Sequence, residues 1–63
     1  MKVKFRSEFF SWPEEKMKGR EIIRRVGLSA EAALLVRNGE LATEEDWFKS
    51  EDEIEVYTAI SGG

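Results

Sequence analysis

The chain contains no cysteine and no histidine, and it has a single proline among its 63 residues. Without cysteine no disulfide can stabilise the fold. Without either residue type the chain has no thiolate or imidazole metal ligand, no Cys–His or Ser–His nucleophile pair and no histidine pH switch. A chain this short forms one domain and buries only about 60% of the surface that its unfolded form exposes. Apolar packing must therefore supply its stability.

Long apolar segments are also missing. The longest uncharged run is residues 57–63, which is too short to span a membrane. The first residues alternate charged and apolar side chains, so they do not form the hydrophobic region of a signal peptide. The net charge of −3 argues against nucleic-acid binding. We therefore expect a cytoplasmic protein with no nucleic-acid or membrane partner, which is a monomer when alone.

The charge is distributed unevenly along the chain. Residues 1–28 hold eight basic and four acidic residues, a net charge of +4, whereas residues 29–63 hold two basic and nine acidic residues, a net charge of −7. The acidic half could steer the protein towards a positively charged partner. A solvated acidic surface without a partner explains the same pattern.

Apolar side chains alternate with other residues near both ends of the chain, which predicts strands there. Val3 and Phe5 mark the first strand, Phe10 and Trp12 mark the second, and residues 54–60 form a final strand. The spacing changes at residues 17–26, where apolar residues fall on one face of a helix. Gly27 and Leu28 follow as its predicted left-handed C-terminal cap.

The segment between that helix and the last strand predicts a hairpin. Residues 32–37 form its first strand, the Asn38-Gly39 pair is a strong hairpin-turn signal, and residues 40–42 return. Residues 43–46 predict a capped helical turn that delivers Trp47 and Phe48 to the core. Trp12 is predicted to lie in the core as well, because a domain this small needs its large side chains inside.

This order of elements predicts an α+β fold of the β-grasp, or ubiquitin-like, type. We expect a mixed sheet of four to five strands with one helix across one face, and the first and last strands paired in parallel at its centre. A different small α+β sheet is the alternative. Residues 1–60 then form the domain, and residues 61–63 form a flexible tail.

The tail Ser61-Gly62-Gly63 is the segment that predicts chemistry. Because glycine has no Cβ, Gly62 can pass through a slot that any side chain would block. A partner that uses ATP can convert the carboxylate of Gly63 to an acyl-adenylate. Sulfide or a persulfide would then give a thiocarboxylate, and a thiol followed by a lysine amine would give an isopeptide. A frayed terminus is the alternative explanation for the two glycines.

Residues 32–63 also carry a series of motifs found together in one known family: Val36-Arg37-Asn38-Gly39-Glu40-Leu41, Glu44-Glu45-Asp46-Trp47, Asp52-Glu53-Ile54-Glu55-Val56 and Ala59-Ile60-Ser61-Gly62-Gly63. In these motifs the chain resembles the ThiS/MoaD family of ubiquitin-like sulfur carrier proteins, and the Asp-Trp turn looks more like the ThiS branch. Residues 22–28 match the family more loosely.

The resemblance implies a β-grasp carrier that is not an enzyme and binds no cofactor. An adenylyltransferase of the ThiF/MoeB type, similar to ubiquitin-activating enzymes, would activate Gly63. The resulting thiocarboxylate would donate sulfur in thiamine (thiazole) or molybdopterin-type cofactor biosynthesis. The sulfur acceptor would resemble thiazole synthase or the large subunit of molybdopterin synthase.

A docking surface is expected on the side of the sheet that the helix leaves open. We predict that Leu35, Tyr57 and Ala59 lie there and bind the activating enzyme. Ordinary cross-strand packing is the alternative for Leu35 and Tyr57. Two other functions stay open: a protein modifier joined to lysines through the same tail, and a β-grasp interaction domain whose tail is never activated.

Overall fold

The computed structural model describes residues 1–58. They form a five-stranded mixed sheet, a separate two-stranded sheet and one α-helix. The elements in chain order are β1 (Lys2–Phe5), β2 (Glu8–Ser11), β3 (Lys16–Lys18), α1 (Gly19–Arg25), a 3₁₀ turn (Ala30–Ala32), β4 (Ala33–Arg37), β5 (Glu40–Ala42), β6 (Trp47–Lys49) and β7 (Ile54–Thr58).

The five-stranded sheet has the order β2-β1-β7-β4-β5. β1 and β7 run parallel at its centre, with Val3 opposite Ile54 and Phe5 opposite Val56. The other neighbouring pairs are antiparallel. A parallel pair needs a crossover between its strands, and α1 lies within that crossover. The predicted α+β class and β-grasp arrangement are therefore confirmed.

The core lies between α1 and one face of the large sheet. Ile22, Ile23 and Val26 form the buried stripe of the helix, as their spacing predicts. The complete buried set is Val3, Met17, Ile22, Ile23, Val26, Leu35, Phe48, Ile54 and Val56. Each sheet thus contributes alternate residues to the same core, because successive side chains of a strand point to opposite faces.

The C-terminal end of α1 has the predicted glycine cap. Gly27 has a φ of 91°, and its N–H donates to the Arg24 carbonyl at 3.1 Å. The Leu28 N–H donates to the Ile23 carbonyl, also at 3.1 Å. These two bonds define a Schellman motif, in which a residue with positive φ satisfies the last helical carbonyls.

The N-terminal end of α1 is fixed to the turn at residues 43–46. The Gly19 N–H donates to the Asp46 carbonyl at 2.9 Å, and the Arg20 N–H donates to the Glu44 carbonyl at 2.9 Å. A Cβ added to Gly19 would lie 2.7 Å from both Leu35 Cδ1 and the Thr43 carbonyl oxygen. Glycine at this position therefore lets the start of the helix, the turn and the large sheet come together.

The two-stranded sheet was not predicted, and it corrects two expectations. Met17 lies in β3 rather than in the helix, and it pairs with Phe48 of β6. Residues 43–46 have the predicted capping bonds, since Thr43 N–H donates to Asp46 Oδ2 at 2.9 Å and Glu45 N–H donates to Thr43 Oγ1 at 3.3 Å, but they form a single turn that is not helical. The chain pairs with β3 directly after this turn, so the turn does not continue into a helix.

One of the two tryptophans differs from expectation. Trp47 is 50% exposed, because β6 turns Phe48 into the core and its neighbour outwards. Trp12, which follows β2, is partly buried and packs against the core, in agreement with its prediction; its ring lies 5.9 Å from that of Phe10 and 5.3 Å from the Arg25 guanidinium. Among residues 1–58, no helix has the length and apolar character needed to cross a bilayer.

Candidate functional site

Four of the predicted site residues lie outside the described residues: Ala59, Ser61, Gly62 and Gly63. Their predicted roles, and the boundary between a domain at 1–60 and a tail at 61–63, stay predictions. The structure does describe the strand that leads to them and the surface around its end.

β7 fixes the path of the chain as far as Thr58. It pairs with β1 as far as Val56 and with β4 as far as Thr58, so two ladders of hydrogen bonds hold its first part and one ladder holds its end. Ile54 and Val56 are buried beneath it. Its last residue, Thr58, lies opposite Ala33 at the beginning of β4. The segment that follows therefore starts from one of the best-anchored strands of the molecule.

The open face of the sheet carries a group of apolar side chains beside β7. We call Leu34, Val36, Leu41 and Tyr57 the sheet-face patch. Leu34 lies directly opposite Tyr57, and Val36 lies opposite Leu41. Leu34 is 44% exposed, Tyr57 49% and Leu41 75%. Clustered exposed apolar side chains of this kind are typical of protein-binding surfaces.

Leu35 does not belong to this surface, contrary to the prediction. It is 2% exposed and packs in the core beneath α1. Residues 33–36 are all apolar, so their sequence does not reveal which residues face inwards. The pairing of Leu35 with buried Val56 decides the matter, because residues opposite one another in a sheet share a face. Leu34 takes the place beside Tyr57 that was predicted for Leu35.

Comparison with known proteins identifies the family. No family model matches the chain. It is 48% identical over 44 residues to the sulfur carrier protein TtuB of Thermus thermophilus, a match that covers 70% of this chain and 68% of the relative. The chain belongs to the ThiS/MoaD-like family of sulfur carriers.

Within this sulfur carrier, charged residues border the sheet-face patch on the side of β1. Glu55 lies between Lys4 and Val36 in one row across the sheet. The hydroxyl of Tyr57 donates to Glu55 Oε2 at 3.0 Å, and this bond raises the pKa of Tyr57. The tyrosine is therefore a neutral side chain at physiological pH, with an apolar ring and an anchored hydroxyl.

The carrier also has cations where β7 ends. Lys4, Arg6, Tyr57 and Thr58 line a shallow cavity at the ends of β1 and β7. Arg6 has a φ of 61°, in the left-handed region, and its guanidinium lies 5.1 Å from the centre of the Phe5 ring. The turn between β1 and β2 thus holds a positive charge close to the last described residues.

Sequence reasoning missed Leu34, Val36 and Leu41. A signal was available for the last two: the turn at Asn38-Gly39 has positive φ at both residues, 53° and 85°. A two-residue turn of this type fixes the hairpin register, which places Val36 opposite Leu41 on one face. No local signal placed Leu34, because its position depends on long-range pairing with β7.

Proposed function

We propose that this protein carries sulfur as a thiocarboxylate on Gly63, after a partner enzyme has adenylated that residue. Three observations support the proposal. The chain belongs to a sulfur carrier family, its relative is named as a sulfur carrier, and the motifs of the family continue to the Ser61-Gly62-Gly63 segment. The pairing of β7 with β1 as far as Val56, and with β4 as far as Thr58, supports it further, since a rigid body can present a following segment to an enzyme.

The chemistry requires only a carboxylate from this chain. A Gly63 carboxylate oxygen would attack the α-phosphorus of ATP, and pyrophosphate would leave to give the acyl-adenylate. Hydrosulfide would then attack the acyl carbon, AMP would leave with the bonding electrons, and the thiocarboxylate would remain. Glycine at position 62 would let the backbone enter a narrow active site, because it has no Cβ. The chain acts here as substrate rather than catalyst.

The sheet-face patch is the proposed docking surface for the activating enzyme, an adenylyltransferase of the ThiF/MoeB type. Leu34 and Tyr57 lie on β4 and β7 next to the last described residues, so an enzyme bound there would reach the segment after Thr58. A half-exposed tyrosine with a fixed hydroxyl is a typical anchor of such interfaces. Lys4 and Arg6 would pair with acidic groups at the rim of the enzyme surface.

The acceptor of the sulfur is proposed by class. The thiocarboxylate would pass its sulfur to a synthase resembling thiazole synthase or the large subunit of molybdopterin synthase. Since adenylation consumes ATP, we expect the carrier to work in the cytoplasm.

Mass spectrometry of the protein purified from its native cells tests the proposal. We expect a population whose C-terminal peptide has gained the mass difference between one sulfur and one oxygen. The gain should disappear when the gene for the activating enzyme is deleted. Lysine-linked adducts without any thiocarboxylate would instead identify a protein modifier.

A pyrophosphate-exchange assay with purified components distinguishes the sulfur carrier from an interaction domain whose tail is never activated. With the cognate activating enzyme present, the full chain should stimulate the exchange of pyrophosphate into ATP. If the C-terminus is unmodified in cells and no pyrophosphate exchange occurs in vitro, the proposal is wrong and the protein is a β-grasp interaction domain.

A further inference from the structure

The outer side of the two-stranded sheet carries three lysines around a tryptophan. We call Lys16, Lys18, Trp47 and Lys49 the Lys–Trp face. Lys16 lies opposite Lys49, and Lys18 lies opposite Trp47. Met17 and Phe48, between them, point the other way into the core. Because strand residues alternate in direction, the four side chains of the face share the solvent side.

The lysines hold the tryptophan in a defined place. Lys16 Nζ lies 4.8 Å and Lys18 Nζ 5.6 Å from the centre of the Trp47 ring, within the range of cation–π attraction. Arg37 Nη1 donates to the Trp47 carbonyl at 2.7 Å, which fixes the backbone of β6. The indole is therefore held in a defined orientation although half of its surface is exposed to solvent.

Folding alone does not explain this arrangement. Like charges directly opposite one another across two strands are destabilising, and Lys16 and Lys49 are such a pair. Within residues 1–58, Lys18 is the one lysine of the face that forms a salt bridge, with Glu45 at 3.4 Å. Lys16 and Lys49 thus form no salt bridge in the described part of the chain, although the backbone N–H of Lys49, and secondarily its charge, lowers the pKa of the Asp52 carboxyl.

The face lies far from the proposed site of chemistry. Arg37, which holds Trp47, pairs with Ile54 where β7 begins, whereas the chain continues towards Gly63 after Thr58. The four residue steps of β7 separate these ends by about 13 Å at about 3.3 Å per residue. A molecule bound at the Lys–Trp face would leave the end of β7 accessible.

We propose that the Lys–Trp face is a second docking surface, which binds an acidic segment of a partner protein that contains an apolar or aromatic residue. Carboxylates of the segment pair with Lys16 and Lys49, and its apolar residue packs on the Trp47 ring. Tryptophan at the centre of a basic surface is typical of the residues that dominate interface energies. This surface would let a partner hold the carrier while the tail is being modified.

The charge of the surroundings favours a short acidic segment over a nucleic acid. Glu44 and Glu45 precede the face, and residues 51–55 follow it with four acidic residues. A long polyanion crossing the face would meet these carboxylates, whereas a short acidic segment fits between them. The overall net charge of −3 also disfavours a nucleic acid, because it repels a long polyanion.

NMR titration of the full chain tests the proposal with a short synthetic peptide that carries glutamates around one phenylalanine and has blocked ends. We expect saturable shifts of the Trp47 indole N–H and of the β3 and β6 amides, while the Trp12 indole signal stays in place. A matched peptide with glutamine for glutamate should not bind. Shifts spread over the sheet-face patch, or no saturable shift, would overturn the proposal.

Two pairs of lysines provide matched variants. Both pairs have the same spacing on a strand, and both lose the same charge when changed to glutamine. The variant K16Q/K18Q should weaken peptide binding by about fivefold, because it removes the ion pair of Lys16, worth up to about 1 kcal/mol when exposed, together with the nearby charge of Lys18. The control K2Q/K4Q should change the affinity by less than about twofold, because Lys2 and Lys4 lie on β1. Equal losses would mean non-specific attraction.

Trp47→Ala separates the role of the aromatic ring from that of the charge. We expect at least a tenfold loss of peptide affinity, as found for tryptophan anchors, with an unchanged pattern of amide signals elsewhere in the chain. Full affinity in this variant would overturn the proposal. Tighter binding of a short single-stranded RNA than of the peptide would overturn it too and would identify a nucleic-acid surface.

Discussion

The sheet-face patch and the Lys–Trp face are built by the same rule and differ in what surrounds their aromatic residue. Tyr57 and Trp47 each lie on a strand whose alternate residues are buried, and they are exposed to nearly the same extent. Leu34 stands opposite Tyr57, whereas Lys18 stands opposite Trp47. As proposed, one surface would bind through apolar contact and shape, and the other through charge around an aromatic centre.

If both proposals hold, this difference separates two tasks in one small domain. An apolar surface beside the end of β7 suits an enzyme that must also grip the tail, because desolvation makes such contacts specific. A charged surface at the far end of the sheet suits rapid, salt-sensitive recruitment. Raising the salt concentration should therefore weaken the second interaction much more than the first.

Deleting Gly63 should produce the largest change, and it should affect activation of the tail but not binding at the Lys–Trp face. We expect complete loss of adenylation and thiocarboxylate formation, since the reacting carboxylate would be displaced by one residue. The melting temperature, measured by circular dichroism, should stay nearly constant. Binding of the acidic peptide at the Lys–Trp face should persist. Unfolding of the deletion variant would instead mean that the tail is structural.

Substitutions of the neighbours Phe48 and Trp47 compare how much the buried and the exposed side of β6 contribute to the free energy of unfolding. Phe48→Ala should lower the free energy of unfolding by about 3–5 kcal/mol, because it empties a fully buried site. That loss matches the whole stability expected of such a small domain, so the variant should be largely unfolded. Phe48→Leu, a milder change, keeps the effect measurable by urea denaturation.

Trp47→Ala is the matched control, and it should change the unfolding free energy by less than about 1 kcal/mol. Similar losses for the two residues would contradict the assignment of opposite directions to their side chains.

Leu34 and Leu35 give the corresponding comparison on β4. Leu35→Ala should cost about 2–5 kcal/mol of unfolding free energy, because the side chain packs in the core. Leu34→Ala should cost about 0.5 kcal/mol or less, as is usual at the surface. It should nevertheless raise the concentration of carrier that half-saturates the activating enzyme. An unchanged half-saturation for Leu34→Ala would exclude the sheet-face patch as the docking surface.

Gly19→Ala tests the junction that holds the two sheets together. The new methyl group would meet the Thr43 carbonyl and the Leu35 side chain, so we expect a loss of roughly 1–3 kcal/mol from overpacking. Urea denaturation measures it. Alanine is otherwise the better helix former, so a stabilised variant would show that the turn at 43–46 moves away easily.

Glu45→Gln should give the smallest effect, and of the two surfaces it should change only the Lys–Trp face. The bond from Arg20, and secondly Lys18, lowers the pKa of the Glu45 carboxyl, so it is ionised at neutral pH and competes with an incoming carboxylate. Its removal should tighten binding of the acidic peptide by about twofold, a change of about 0.4 kcal/mol. NMR titration can resolve this difference. Weaker binding would mean that Glu45 positions Lys18 instead of competing for it.

Much of the fold could be predicted where local rules decide it. Positive φ at Asn38 and Gly39 fixes the hairpin, and Gly27 caps the helix, because few other residues adopt these conformations. Alternation identified β1 and β7. These elements sufficed for the β-grasp arrangement, since a helix between two hairpins leaves few ways to cover a sheet.

The parts that could not be predicted depend on contacts between distant segments. β3 and β6 have three residues each, too few to display an alternating pattern. Their pairing, rather than either sequence, decides that Trp47 faces solvent. The apolar run around Leu34 and Leu35 was ambiguous for the same reason. The Lys–Trp face, and the pairing of Leu34 with Tyr57, could not be predicted because each combines residues from strands far apart along the chain.

The parallel pairing of β1 with β7 has a consequence for the synthesis of the protein. A ribosome releases β1 at the beginning and β7 only after residue 58 has been added, yet β7 occupies the middle of the sheet between β1 and β4. The central position of the sheet therefore stays empty until the last strand has been synthesised, although all the other strands are already present. A nascent chain that ends before β7 lacks the strand that joins its two hairpins. We therefore expect it to be unfolded and accessible to proteases.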